Sequence, residues 1–274
     1  MLQQEAMIKQ VRQLCYLDER LVAAMMYGSF AQSEGDEFSD IEFILFFDDD
    51  VLEGLDQREW VDQLAPVELY FVNEFGVGTA IFDNLIRGEF HFGKASDIEK
   101  IDDSWKRTDW LPSLDTALLL DRTGELSHRL QMIVGPPLDR DTLEQTRFLC
   151  DSYVNWLLFG SNLLARGELA RSLDFLGFVQ RYLLWMARLL EHTTTHWPTP
   201  SKALEKDISE AAYARYTACT ANLDKEALHS AYLSAWAWGR EMMLSLAERH
   251  NVVLPWTFYG RLDQRLTDIY QRLR

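Results

Sequence analysis

Residues 27–42, YGSFAQSEGDEFSDIE, decide how the first part of this chain folds. The Gly28-Ser29 turn ends an apolar run, and a second apolar run begins with two carboxylates, Asp40 and Glu42, at positions i and i+2. On a β-strand this spacing places both carboxylates on one face and turns Ile41 towards the core. Two adjacent acids repel each other and need a counter-charge, for which a divalent cation is the usual choice. The small-residue turn upstream offers backbone N–H groups that can hold a phosphate anion.

The charge of the chain is distributed unevenly. The 274 residues are 47% hydrophobic, which is enough for one large core or two ordinary ones. The net charge of −16 lies entirely in residues 1–140, which hold 28 acidic and 12 basic residues, whereas residues 141–274 hold 15 of each. This asymmetry predicts two units with different roles. An acidic surface disfavours nucleic acid as a partner and favours a cationic small molecule.

Three cysteines, Cys15, Cys150 and Cys219, are scattered along the chain without the spacing of a metal or redox motif. We expect them to be free thiols in a reducing cytoplasm. The sequence MLQQEAMIKQ shows no signal-peptide pattern, and no apolar run approaches the length of a membrane span. These features predict a cytoplasmic protein without a membrane association.

Apolar periodicity changes at the Gly135-Pro136-Pro137 breaker. Before it the sequence mixes strands with short helices, and after it the pattern is helical. Strands are predicted at 21–27, 40–47, 67–72, 79–82, 88–92 and 116–120, and helices at 2–15, 56–64, 142–166, 168–192, 201–219, 224–249 and 258–273. The expected fold class is α+β, with a mixed sheet domain over 1–137 and an all-α bundle domain over 138–274.

Two acids on one strand require a third acid nearby if they serve a metal-dependent transfer reaction, because a general base must also be supplied. Glu68, Asp83 and Glu89 are the candidates. Along its predicted strand, Glu89 alternates with Phe90 and Phe92, whose side chains are expected to be buried, and it shares a face with His91. Glu68 alternates equally well with the apolar residues of its own strand. Asp83 precedes Asn84 at an expected turn, where side-chain capping is the ordinary role. The residue pattern alone leaves the choice open.

The Gly-Ser turn, the spacer and the Asp-apolar-Glu pattern resemble the signature of the DNA polymerase β-like nucleotidyltransferase superfamily. Residues 21–42 and residues 81–92, IFDNLIRGEFHF, are more closely similar to the longer two-domain lincosamide nucleotidyltransferases, which confer antibiotic resistance on bacteria. A weaker likeness continues through residues 166–176 and 201–209. The resemblance therefore extends over most of the chain.

This resemblance implies transfer of AMP from ATP to a lincosamide hydroxyl, with Mg²⁺ as the cofactor and pyrophosphate as the second product. Asp40 and Glu42 would be the metal ligands. Glu89 would be the general base, and the resemblance is what favours it over Glu68; whether Glu68 or His91 assists it stays open. Gly28 and Ser29 would bind the nucleotide triphosphate.

The resemblance also implies that the nucleotidyltransferase catalytic domain lies over 1–137 and that the helical domain binds substrate and nucleotide. Ser201 is a candidate N-cap, which places Lys202 in the first turn of a helix. A lysine is unfavourable there for the helix dipole, and its position in related two-domain enzymes favours contact with the nucleotide phosphates. A solvated surface lysine is the alternative. The apolar helices and the related enzymes also favour a homodimer.

Other functions fit parts of the same pattern. An aminoglycoside nucleotidyltransferase would keep the chemistry and change the acceptor. A regulatory or toxin–antitoxin nucleotidyltransferase would modify a protein or an RNA end, although the acidic surface disfavours RNA. An inactive binding module is disfavoured because the carboxylate set is intact.

Overall fold

The computed structural model describes residues 1–107 and 110–273. The chain divides into two compact units, Met1–Leu138 and Asp139–Arg274, each with its own hydrophobic core. The first unit holds a six-stranded mixed sheet with flanking helices, and the second is helical throughout. The fold class is therefore α+β, as the sequence predicts.

The sheet of the first unit has the strand order β3-β4-β5-β2-β1-β6. Strands β2 and β5 run parallel to each other, and all other neighbours are antiparallel. The strands are β1 (Leu21–Met26), β2 (Ile41–Phe47), β3 (Val67–Val72), β4 (Gly78–Phe82), β5 (Arg87–Lys94) and β6 (Leu118–Asp121). Alternation in β2 buries Ile41, Phe43 and Leu45 completely, so the side chain of Glu42 points to the opposite face.

Among the residues that the structure describes, the α-helices that accompany this sheet are α1 (Gln3–Leu17), α2 (Gly28–Ala31), α3 (Gln57–Asp62) and α4 (Glu125–Leu130). Asp56 caps α3, where its carboxylate accepts the Glu59 N–H at 3.0 Å. Trp60 of α3 packs edge-on against Phe47 and Phe90 in the core. This aromatic packing holds the buried face of β2 and β5 in place and leaves their opposite face to the polar residues.

The second unit contains α5 (Leu143–Ala165), α6 (Leu169–Leu190), α7 (Leu204–Asp207), α8 (Glu210–Thr217), α9 (Lys225–His250) and α10 (Trp256–Leu273). Thr142 and Asp224 cap α5 and α9 through their side chains. Helices α5 and α9 approach closely at Gly239, where a Cβ atom would lie 2.4 Å from the Tyr153 ring. The Tyr153 hydroxyl donates to the Ala235 carbonyl at 2.6 Å, which satisfies this buried polar group.

The prediction of one helix over 201–219 is wrong. Ala203 adopts a left-handed backbone (φ +50°) and Ile208 is extended, so that two short helices, α7 and α8, form instead. Lys202 consequently lies in a turn before α7, and Ser201 does not cap a helix. The cause is a tertiary contact: Arg188 of α6 is fully buried and donates to the carbonyls of Pro200 and Lys202 at 2.8 and 2.6 Å.

All three cysteines are free and buried. Burial raises the pKa of each thiol to about 12, which makes them unreactive at neutral pH. Among the helices of the described part of the chain, none combines the length and the apolar character that crossing a membrane requires.

Candidate active site

Two acids are brought together by the parallel pairing of β2 and β5. Glu42 and Glu89 occupy paired positions in this register, and Asp40 immediately precedes β2. Neighbouring strands lie about 4.8 Å apart, so paired side chains on one face are in direct reach of each other. The structure therefore brings together three of the acids that the sequence singles out.

The other candidate acids lie elsewhere. Glu68 is exposed on β3, an edge strand separated from β5 by β4. Asp83 is exposed in the turn after β4, where its backbone N–H donates to the Pro66 carbonyl at 3.0 Å. Only Glu89 of the three alternatives joins Asp40 and Glu42.

The Gly28-Ser29 turn packs directly against Glu42. Gly28 has a φ of +71°, and a Cβ atom there would lie 1.6 Å from a carboxylate oxygen of Glu42. No other residue fits at this position without moving Glu42. The Ser29 backbone N–H donates a hydrogen bond to the Glu42 carboxylate. An N–H group that the sequence assigns to a phosphate thus holds a carboxylate here.

Arg87 is a residue of this site that sequence reasoning missed. Its guanidinium forms ion pairs with Asp40, at 2.5 Å, and with Glu89. The signal was present, because Arg87 and Glu89 are two positions apart on β5 and therefore share a face. The Arg87 guanidinium thus supplies positive charge to Asp40 and Glu89 in this structure, and the expectation of a divalent cation stays a prediction.

Tyr27 is the second missed residue. Its hydroxyl donates to Glu89 at 3.1 Å and lies 2.8 Å from Nε2 of His91, whose ring it meets edge-on. Burial, reinforced by the charge of Glu89, raises the pKa of the Tyr27 hydroxyl far above its usual value. Tyr27 therefore stays protonated and acts as a hydrogen-bond donor that orients Glu89.

Glu42 has the most perturbed carboxyl group of the cluster. Burial first, then the negative charges of Glu89 and Asp40, raises the pKa of Glu42 to about 7. Arg87 contacts Asp40 and Glu89 but does not fully offset this crowding of negative charge. Excess carboxylate charge on a partly buried face is the electrostatic setting of a cation site.

The donor set fits Mg²⁺, which prefers carboxylate oxygens. In the described residues, however, no three His, Cys, Asp or Glu side chains are grouped so that they could hold a metal ion as they stand. Arg87 occupies the position between Asp40 and Glu89. A cation that binds these acids must therefore replace the Arg87 guanidinium as their partner.

Lys202 belongs to the second unit and is distant in sequence from the residues of the carboxylate cluster. Its backbone N–H donates to the Thr199 carbonyl at 2.8 Å, and its carbonyl accepts from buried Arg188. Arg188 also pairs with Asp207 at 2.8 Å and donates to the Thr193 carbonyl. The position of Lys202 is thus fixed through its backbone by a residue of α6.

Arg166 and Arg171 both pair with Glu168 on the surface, at 3.7 and 3.1 Å. Glu168 is therefore a carboxylate partner shared by both guanidinium groups. Neither residue joins Lys202 in a larger basic cluster among the contacts that the structure describes.

Comparison with known proteins adds an independent observation. Residues 142–265 match the family model described as "Lincosamide nucleotidyltransferase-like, C-terminal domain". None of the curated proteins matches the chain significantly. The match covers α5 to α9 and most of α10, so it is carried by the helical unit and not by the residues of the carboxylate cluster.

Two solved structures are similar to the chain. An aminoglycoside 6-adenyltransferase from Bacillus subtilis is 14% identical, with 98% of this chain and 99% of that one covered and a TM-score of 0.46. A nucleotidyltransferase-like protein from Exiguobacterium sibiricum 255-15 is 11% identical, with 89% and 77% covered and a TM-score of 0.40. Residues 142–265, which make up most of the helical unit, are therefore similar to the C-terminal domain of lincosamide nucleotidyltransferase-like proteins.

Proposed function

We propose that this chain transfers AMP from ATP to a hydroxyl group of a lincosamide and releases pyrophosphate. The observation that carries the proposal is the convergence of Asp40, Glu42 and Glu89 on one sheet face beside the Gly28-Ser29 turn. The similarity of residues 142–265 to the lincosamide nucleotidyltransferase-like C-terminal domain supports the lincosamide as acceptor. The proposed catalytic domain is the first unit, and the helical unit contributes to binding of substrate and nucleotide.

In the proposed reaction, Glu89 accepts the proton of the acceptor hydroxyl. The hydroxyl oxygen attacks the α-phosphorus of ATP in line, the new P–O bond forms, and the bond to the β-phosphate breaks with pyrophosphate leaving. Tyr27 donates its hydrogen bond to Glu89 and so holds the base in one orientation. A proton transfer by a positioned base contributes about 10²- to 10⁴-fold to the rate.

Asp40 and Glu42 would hold Mg²⁺. The metal, when bound, offsets the charge that develops on the departing pyrophosphate. Arg87 would then be released from Asp40 and Glu89. The Gly28-Ser29 turn would bind the triphosphate once Glu42 turns away from the Ser29 N–H.

Lys202 is proposed to contact the phosphates of the nucleotide. The support is its fixed backbone in the helical unit, where Arg188 holds its carbonyl. We also propose that the protein acts in the cytoplasm, where ATP is available. Its assembly as a homodimer stays a prediction that analytical ultracentrifugation can test.

The acceptor can be identified by mass spectrometry. The purified protein is incubated with ATP and Mg²⁺ together with clindamycin, lincomycin or kanamycin. We expect a mass gain equal to one adenylyl group (AMP less one water) on clindamycin and lincomycin. A gain on kanamycin alone would contradict the lincosamide assignment, and no gain on any acceptor from a protein that binds ATP would favour a regulatory nucleotidyltransferase.

A further inference from the structure

A cavity of about 700 Å³ lies in the first unit beside the carboxylate cluster. Three segments form its walls: the start of α1, the turn at 37–40 and the turn at 84–87 between β4 and β5. Its volume is in the range of pockets that take drug-sized molecules. Asp40 and Arg87 are part of the lining, so a molecule in the cavity lies beside two residues of the carboxylate cluster, and Arg87 in turn pairs with Glu89.

Phe38 gives this cavity an apolar wall. The side chain is 86% exposed, although the turn that carries it is well ordered by hydrogen bonds. Its backbone N–H donates to Asp36 at 2.9 Å, and the buried amide of Gln4 donates to the carbonyls of Glu37 and Ser39 at 2.9 and 3.3 Å. A large aromatic side chain held in solvent at the rim of a cavity is available for a ligand.

Leu85 forms a second apolar wall, and its backbone is strained. It has a φ of +63° and its side chain is 84% exposed. The turn is closed by the Leu85 N–H to the Phe82 carbonyl at 2.9 Å and by Asn84 Oδ1, which accepts from Ile86 at 3.1 Å. Glycine or asparagine would occupy this conformation more easily than a branched aliphatic residue. An unfavourable backbone that presents an apolar side chain beside reacting groups indicates a role for that side chain.

The charge of the cavity distinguishes between its possible occupants. Glu37 and Asp40 line it, and the guanidinium of Arg87 is already paired with Asp40 and Glu89. The Glu37 carboxylate on this wall, which is not among the proposed metal ligands, attracts a basic amine. The apolar side chains of Phe38 and Leu85 add a preference for a molecule with an alkyl or ring substituent.

We infer that this cavity is the acceptor subsite and that Phe38 and Leu85 select acceptors which combine an apolar substituent with a basic amine. The inference rests on the proposed nucleotidyl transfer and adds the residues that determine acceptor specificity. Clindamycin, which carries an alkyl chain and an amine, fits this description. Kanamycin carries several amines but no alkyl substituent, and gains nothing from the apolar walls.

The test compares two variants with matched controls. Phe38→Ser and Leu85→Asn remove the apolar walls, and asparagine tolerates the left-handed backbone, so the turn keeps its conformation. The controls are Phe75→Ser and Leu17→Asn, which change exposed residues of the same types in the same unit, outside the lining of the cavity. Steady-state kinetics give KM for clindamycin and for ATP, and calorimetry measures clindamycin binding without ATP.

We expect each cavity variant to raise KM for clindamycin about tenfold, which is the loss for one large apolar contact, and to leave KM for ATP unchanged. A rise in KM for ATP instead would assign the cavity to the adenine ring and overturn the inference. Variants that behave like their controls would also overturn it.

Failure of the proposed function gives a different result. If no acceptor gains AMP, the transfer reaction is wrong, and calorimetry decides the subsite separately. If clindamycin binds to the unmodified protein and both cavity variants weaken this binding, the cavity is supported as the clindamycin site even though the transfer reaction is not. Absence of clindamycin binding to the unmodified protein would overturn the inference.

Discussion

Glu42 and Glu89 face each other because parallel strands pair them, and this proximity has an electrostatic cost. Arg87 and the Tyr27 hydroxyl both contact Glu89, whereas Glu42 relies on the Ser29 N–H. The roles of the two glutamates therefore differ at the level of single atoms. In the proposed reaction Glu89 is the oriented proton acceptor, and Glu42 is a ligand that a bound cation would stabilise.

The first residue-level prediction concerns Glu89. Glu89→Gln removes the proton acceptor but keeps the shape, so we expect kcat to fall by about 10²- to 10⁴-fold while the affinity for ATP survives. Turnover assays and ATP titration measure the two quantities. The control is Glu68→Gln, an exposed glutamate on β3 that should leave turnover intact. Unchanged turnover in Glu89→Gln would show that Glu89 is not the base and would move this role to His91.

The second residue-level prediction concerns pH and Glu42. Folding raises its pKa from 4.5 to about 7, so between these values the folded chain binds more protons than the unfolded chain. Stability from this group therefore falls as pH rises from 4.5 to 7, and the full cost applies above pH 7. With EDTA present, Glu42→Gln should raise the free energy of unfolding by about 1–2 kcal/mol at pH 8 and by less at pH 5.

Denaturant unfolding at the two pH values measures this difference. The exposed control Glu68→Gln should show no pH-dependent gain. An equal gain for Glu42→Gln at both pH values, or a loss at pH 8, would show that Glu42 is not a crowded carboxylate in the folded protein.

Among the elements, the strands and the long helices could be predicted because their apolar periodicity is local. The segment 201–219 could not be, since its conformation depends on Arg188, which lies on α6 and binds the carbonyls of Pro200 and Lys202. At the level of the site, the spacing of Asp40 and Glu42 predicts their common face. The pairing of Glu42 with Glu89 depends on strand order, which no local pattern encodes.

The element-level prediction concerns Arg188. Arg188→Met would leave Asp207 without its guanidinium partner and would remove the donors to three backbone carbonyls. We expect a loss of about 3–5 kcal/mol in the free energy of unfolding, measured with urea. The double variant Arg188→Met/Asp207→Leu should recover part of the loss, because the Asp207 carboxylate, which would keep His196 as a neighbour but lose the guanidinium, is also removed.

The control for this prediction is Arg181→Met, an exposed arginine on the same helix. It should change stability by no more than about 0.5 kcal/mol. A loss for Arg188→Met that is no larger than this would mean that the 193–207 segment does not depend on its buried arginine.

At the scale of the whole molecule, the net charge of −16 comes entirely from the residues of the first unit. The same unit contains the carboxylate cluster and the cavity. Such a field raises the local concentration of a cationic acceptor and is screened by salt. Increasing NaCl from about 0.05 to about 0.5 M should therefore raise KM for clindamycin several-fold, with kcat nearly unchanged. Initial-rate measurements at each salt concentration test this, and a KM that is independent of salt would exclude an electrostatic contribution to acceptor binding.

Nucleotidyl transfer by this chain is tested most directly with ATP that carries radioactive phosphorus either at the α-position or at the γ-position. Clindamycin, Mg²⁺ and the purified protein are incubated with each labelled ATP, and the products are separated. We predict that the α-label appears in clindamycin and that the γ-label appears only in pyrophosphate. Label from the γ-position in clindamycin would mean phosphoryl transfer, and clindamycin without either label would contradict the assignment of a lincosamide nucleotidyltransferase.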